Sequence, residues 1–130
     1  MIANSYYEKA LVNFKTAKIV FMIASSDEEQ LNIAGYHLQQ AVELAIKHIL
    51  MGNGVPLQKT HDIDQLIRVA ENYKVDLYLT EYIKEKAEVL SLWESKTRYV
   101  LGYALEAKKI ETVIEEIGKY FEILSKKLTF

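Results

Sequence analysis

Two stretches of this chain carry side chains whose types and spacing suit chemistry. In NIAGYHLQQAVELAIKHILM, residues 32–51, Tyr36, Gln40, Glu43 and Lys47 follow one another at spacings of four, three and four. One face of a helix would then present an aromatic ring, an amide, a carboxylate and an ammonium in a row. Glu43 followed four residues later by Lys47 has the favoured order for a helical ion pair, worth about 0.2–0.5 kcal/mol. Read instead as the wall of a cleft, the row offers Gln40 as a hydrogen-bonding group and Lys47 as a positive charge. The second stretch, ESKTRYVLGY at 94–103, sets Arg98 between Thr97 and Tyr99, with Gly102 and Tyr103 beyond. A planar guanidinium with several donors either pairs with a carboxylate on another helix or subunit, or holds an anion. Tyr99 and Tyr103 are packing or interface aromatics, or platforms for a ligand.

Other chemistries are disfavoured by what the chain lacks. It has no cysteine, so thiolate and disulfide chemistry are absent, and its three histidines lie far apart with no ligand pattern between them. No glutamate is followed three residues later by histidine, which argues against a carboxylate-bridged di-iron bundle. No metal and no cofactor is expected. Sixteen basic against eighteen acidic side chains leave a net charge of −2, so composition predicts no indiscriminate grip on nucleic acid. No basic start leads into a long apolar run and none reaches membrane-spanning length, so no membrane association is expected and the cytoplasm is the default location.

Helices must position these groups. One proline and five glycines in 130 residues leave few breaks, and alternation with a period of two is weak. Ala3, Tyr7, Ala10, Phe14, Ala17 and Phe21 predict a first helix from about Asn4 to Ala24, with Ser5 and Glu8 at capping-box spacing. A second runs from about Asp27 or Glu28 to Met51 through Gly35, where an interior glycine costs about 1 kcal/mol relative to alanine. Its apolar stripe, Leu31 to Ile49 widened by Val42, Ile46 and Leu50, is broad enough to contact more than one helix. After a loop in which Gly52 or Gly54 closes the helix, a short third helix starts near Asp62, with Asp62 and Gln65 at capping-box spacing. Leu79, Ile83, Ala87 and Leu90 predict a fourth helix ending near Trp93, and a fifth follows from about Leu105 to Lys127. The expected fold is a single all-α domain, an up-and-down bundle of four longer helices with one additional short helix.

Taken in order, YHLQQAVELAIKHIL at 36–50, THDIDQL at 60–66 and TRYVLGY at 97–103 resemble a small stand-alone HEPN domain over essentially the whole chain. The resemblance implies a four- or five-helix bundle that commonly forms homodimers. For function it implies two classes. Many members are metal-independent ribonucleases, including toxins of toxin–antitoxin pairs and RNA-processing factors, whose arginine is followed four to six residues later by histidine in a cleft at the dimer interface. Others are non-catalytic partners of a small nucleotidyltransferase, or nucleotide-binding modules. Arg98 matches the arginine, but residues 99–105 contain no histidine and Tyr103 stands where one would be expected. Tyrosine, with a reference pKa near 10, is a poor general base at neutral pH. The resemblance therefore favours a non-catalytic or weakened dimeric binding module, with Arg98, Tyr99, Tyr103, Gln40, Glu43 and Lys47 toward a nucleotide, RNA or the nucleotidyltransferase partner. The rival is a ribonuclease with an atypical site built on Arg98 and His61 or Tyr103, and a third reading is a purely structural interaction bundle. His61, in the threonine–histidine–acidic stretch, is expected to bond a loop or helix-end carbonyl, or else to substitute as a proton donor.

Overall fold

Ser5 opens the first helix, α1 (Tyr6–Ala24), by accepting the Glu8 amide on its hydroxyl at 3.1 Å. The Glu8 carboxylate returns to the Asn4 amide, one residue short of the usual box partner. Asp27 caps α2 (Glu28–Gly52) by accepting the amides of Glu29 and Gln30, and the acidic residues of that first turn complement the helix dipole. These elements belong to a computed structural model that describes residues 2–128. Three further helices, α3 (Ile63–Tyr73), α4 (Glu81–Tyr99) and α5 (Ala107–Lys127), complete it, and no strand occurs among the described residues.

The broad apolar stripe of α2 has the expected consequence, because this helix touches each of the other four. Leu38, Ala41, Val42, Ile46 and Leu50 are buried along it. Gly35 lets α4 and α5 close in: a methyl group there would stand 2.5 Å from Leu105 Cδ1 and 3.4 Å from the Trp93 ring. The propensity cost of a helical glycine thus has a packing return at this one crossing.

Three local differences from the sequence expectations have clear causes. Of the two glycines that could close α2, Gly52 stays helical and Gly54 takes the left-handed turn at φ +81°. The Asp62–Gln65 box is not made. Instead Thr60 donates its hydroxyl to Gln65 at 2.9 Å and accepts the Asp62 amide, while Ser91 of α4 accepts the Ile63 amide at 2.8 Å. A side chain distant in sequence caps α3, which local spacing cannot reveal. Finally, α4 runs through Glu94–Tyr99 instead of stopping near Trp93, because its polar residues bond back along the helix: Thr97 to the Trp93 carbonyl and Arg98 to Glu94. Gly102, at φ +80°, then turns the chain toward α5.

Tyr120 is fully buried on α5 and donates its hydroxyl to the Leu77 carbonyl at 2.8 Å, holding the α3–α4 connection against the bundle. Burial first, then nearby Tyr7 and Asp76, pushes this phenol well above the usual tyrosine range. Tyr120→Phe is expected to cost about 1–3 kcal/mol by orphaning that carbonyl. Urea unfolding would check it; a loss within error of zero would mean that water reaches Leu77.

Candidate functional site

Because α2 is enclosed on several sides, part of its polar row lies inside the protein. Glu43 and Lys47 are buried, Gln39 beside them is fully buried, and Tyr36 and Gln40 are half-buried. The Glu43 carboxylate accepts the Lys47 ammonium at 2.9 Å and the Gln39 amide at 3.0 Å. Gln40 donates to Gln39 at 2.8 Å and lies 3.5 Å from the same carboxylate. The expected ion pair is present, but in a setting where a lone charge would be costly to desolvate rather than on a solvated face.

His61 joins this network from the α2–α3 loop. Its Nδ1 is 3.2 Å from both Glu43 oxygens, and its backbone carbonyl accepts the Gln39 amide at 2.9 Å. The expectation that the His61 ring bonds a carbonyl is therefore corrected: the ring meets a carboxylate, and the histidine's own carbonyl is the acceptor. A carboxylate facing Nδ1 favours the proton on that nitrogen and leaves Nε2 as the exchangeable edge. The His61 side chain is 57 % exposed, against 2 % for Glu43.

Beyond His61 lies a groove of about 420 Å³ between the start of α3 and α4, lined by Asp62, Asp64, Glu88, Ser91 and Ser95 among others. The hydrogen bond shared by Asp62 and Asp64 is the main cause of opposite shifts: it raises Asp62, aided by burial, and lowers Asp64. A larger pocket of about 860 Å³ lies between the start of α1 and the end of α2, lined by Ser5, Lys9 and His48 among others. It contains none of the predicted site residues.

Arg98 sits in the last turn of α4, where a cation suits the helix dipole. Its Nε donates to the Glu94 carbonyl at 2.7 Å and its Nη2 to the Glu94 carboxylate. The carboxylate partner is thus one turn back in the same helix, not across the bundle as one expectation had it. The guanidinium carbon lies 4.7 Å from the ring centroids of both Tyr36 and Tyr99, so the cation is stacked by an aromatic from each helix. Tyr99 is 70 % exposed. Tyr103 is half-buried against the core, and its carbonyl accepts the Asn32 amide at 2.7 Å, fastening the α4–α5 turn to the start of α2.

Arg98 reaches α2 at Tyr36 and His61 reaches it at Glu43. Seven residues along a helix span about 10 Å, so within one chain the guanidinium and the imidazole stand at separate stations. Proton transfer at a phosphate requires both within about 3 Å of the same reacting group. His37 packs edge-on to Tyr36, at 5.3 Å between ring centroids, behind the ring that stacks on Arg98. His37 bonds Asn13 at 2.7 Å, His48 packs edge-on to Tyr7, and burial lowers both pKa values. Among the described residues no His, Asp and Glu cluster is arranged to hold a metal ion. Sequence spacing had grouped Arg98 with the α2 row, but Tyr36 as its stacking partner and Gln39 as a donor to Glu43 emerge only in three dimensions.

The HEPN domain family model matches residues 3–128. The chain belongs to the HEPN family. The five-helix bundle is thus a HEPN domain, and it carries Arg98 at the end of α4 and His61 ahead of α3. No curated protein and no solved structure matches the chain. No helix of the described residues is long and apolar enough to cross a membrane.

Proposed function

We propose that this HEPN chain is a non-catalytic binding module that works as a homodimer and engages a nucleotide, either free or on a nucleotidyltransferase partner. The observation that carries the reading is Arg98, stacked between Tyr36 and Tyr99 at the protein surface with no histidine among residues 99–105. A guanidinium so held recognises a phosphate through its remaining N–H groups, and the exposed Tyr99 ring offers a face for a base. Glu94 orients the guanidinium and weakens its attraction for anions, which suits reversible binding better than transition-state stabilisation.

Calorimetric titration of the chain with nucleoside triphosphates is expected to give saturable binding that Arg98→Ala weakens about tenfold or more, as for a lost charge-assisted hydrogen bond. Its melting temperature should stay close to that of the parent, because a half-exposed pair along one helix is worth only about 0–1 kcal/mol. Metal-free incubation with structured and single-stranded RNA is expected to give no cleavage. Cleavage that disappears in Arg98→Ala would overturn the proposal in favour of the ribonuclease reading.

A further inference from the structure

We propose that Asn32 reads the nucleoside of the ligand held at Arg98, its Oδ1 accepting a hydrogen bond from an N–H or O–H donor once the α4–α5 turn lifts. This rests on the nucleotide-binding reading above and gives it a second contact, apart from the Gln39–Glu43–Lys47 network.

Among the described residues, Asn32 Oδ1 is the one buried side-chain polar atom without a hydrogen-bond partner. Asn32 is 3 % exposed, and its Nδ2 donates to the Tyr103 carbonyl at 2.7 Å. That bond fixes which end of the amide is which, because turning it over would set two oxygens against each other. Latching the turn uses the donor alone. It leaves unexplained an acceptor closed off from water and paired with nothing, a costly arrangement that folded proteins seldom keep. A donor supplied from outside the chain accounts for it.

Position makes the ligand of Arg98 that partner. Asn32 stands one turn of α2, about 6 Å, before Tyr36, whose ring stacks on the Arg98 guanidinium. A phosphate on Arg98 puts its own nucleoside within reach of Asn32, and the donors that a nucleoside carries are its ribose hydroxyls and the exocyclic amine of its base. The cover over Asn32 is built to move. The turn holds Val100 and Leu101 outward at 50 % and 97 % exposure, and it bends at Gly102 with φ +80°, which glycine adopts without strain. A bond of 3.2 Å from the Tyr103 amide to the Val100 carbonyl keeps the turn's own shape, while the Asn32 bond fastens it to α2. Lifting it as a unit exchanges that fastening for a bond to the ligand and returns the Tyr103 carbonyl to water, so the bound state strands neither group.

Calorimetric titration of the parent and of Asn32→Ala with ATP, 2′-deoxy-ATP, 3′-deoxy-ATP and ITP tests the assignment. The parent is expected to bind at least one analogue about tenfold more weakly than ATP, as for a donor missing opposite a buried acceptor. Weakening of a deoxy analogue identifies a ribose hydroxyl as the donor, and weakening of ITP identifies the base amine. Asn32→Ala should bind ATP and that analogue equally. Hydrogen exchange on the parent is the independent readout: the amides of residues 100–104 should exchange faster with ATP bound than without it. Equal affinity of the parent for all four nucleotides, discrimination that survives in Asn32→Ala, or a turn whose exchange slows or stays the same on binding would each overturn the assignment. If Asn32→Ala does not fold, the analogue series and the exchange measurement on the parent decide it. The nucleotide reading fails separately: ATP binding that Arg98→Ala weakens, with no discrimination among analogues, keeps that reading and removes Asn32 from it, whereas a parent that binds none of the four removes both.

Discussion

Replacing Glu43 by alanine is expected to cost the fold about 3–5 kcal/mol, the range for removing one partner of a buried ion pair. Glu43 collects donors from Lys47, Gln39 and His61 while only 2 % exposed, so its loss strands an ammonium inside the bundle and frees the α2–α3 loop. The counterpart Lys47→Met leaves the carboxylate with His61 and the glutamine amide and should cost less. Glu43→Leu combined with Lys47→Met should recover most of the stability, because isosteric apolar groups remove both desolvation costs together. Urea unfolding of the parent, Glu43→Leu, Lys47→Met and their combination closes the cycle, with Glu43→Ala measured beside it. A single Glu43→Ala loss below about 1 kcal/mol would mean that Lys47 reaches solvent and that the pair behaves as a surface one.

Trp93→Ala is expected to be about as damaging, at about 3–5 kcal/mol. Trp93 is almost wholly buried on α4, and its ring lies against Gly35 at the point where α2, α4 and the α4–α5 turn meet. Deleting it opens a void that the Gly35 backbone cannot fill. Because Arg98 lies little more than one turn further along α4, the substitution should also loosen the stacking of Arg98 on Tyr36. Trp93→Phe should fall between the parent and the alanine variant. Thermal unfolding measures the first effect and nucleotide titration the second; full nucleotide affinity in a destabilised Trp93→Ala would show that the end of α4 is positioned independently of its core contacts.

Periodicity located the helices because burial dictates it: α1, α2 and α5 recur at three and four residues, and their observed limits lie within about two residues of those expected. The end of α4 was less legible. The apolar repeat predicted an end near Trp93 because Glu94, Ser95, Lys96 and Thr97 are all polar, yet two of the helix's last side chains bond to its own carbonyls. The α3 cap was invisible to local spacing because its acceptor, Ser91, lies twenty-eight residues from Ile63. Of the candidate site, the α2 row and Arg98 were apparent from residue type and spacing, but their environments were not. An i,i+4 pair looks the same in sequence whether solvent or protein covers it, and here both members are buried, with His61 of the α2–α3 loop against Glu43. Arg98 read as seeking a carboxylate elsewhere, whereas Glu94, in plain view four residues earlier, supplies it.

The enclosure of the Gln39–Glu43–Lys47 network has a consequence for reading kinship among such proteins. Loss of one charged member alone leaves a buried partner unpaired, so selection for folding acts on these residues as a set, whatever the activity. A relative that shares this polar set with the threonine–histidine stretch shares a way of packing α2 against α3, and nothing about its chemistry follows. Arg98 and Tyr99, half in solvent and outside the core, carry no such obligation. Divergence of function within the fold should therefore be recorded at the end of α4, while the polar interior of α2 stays silent on it.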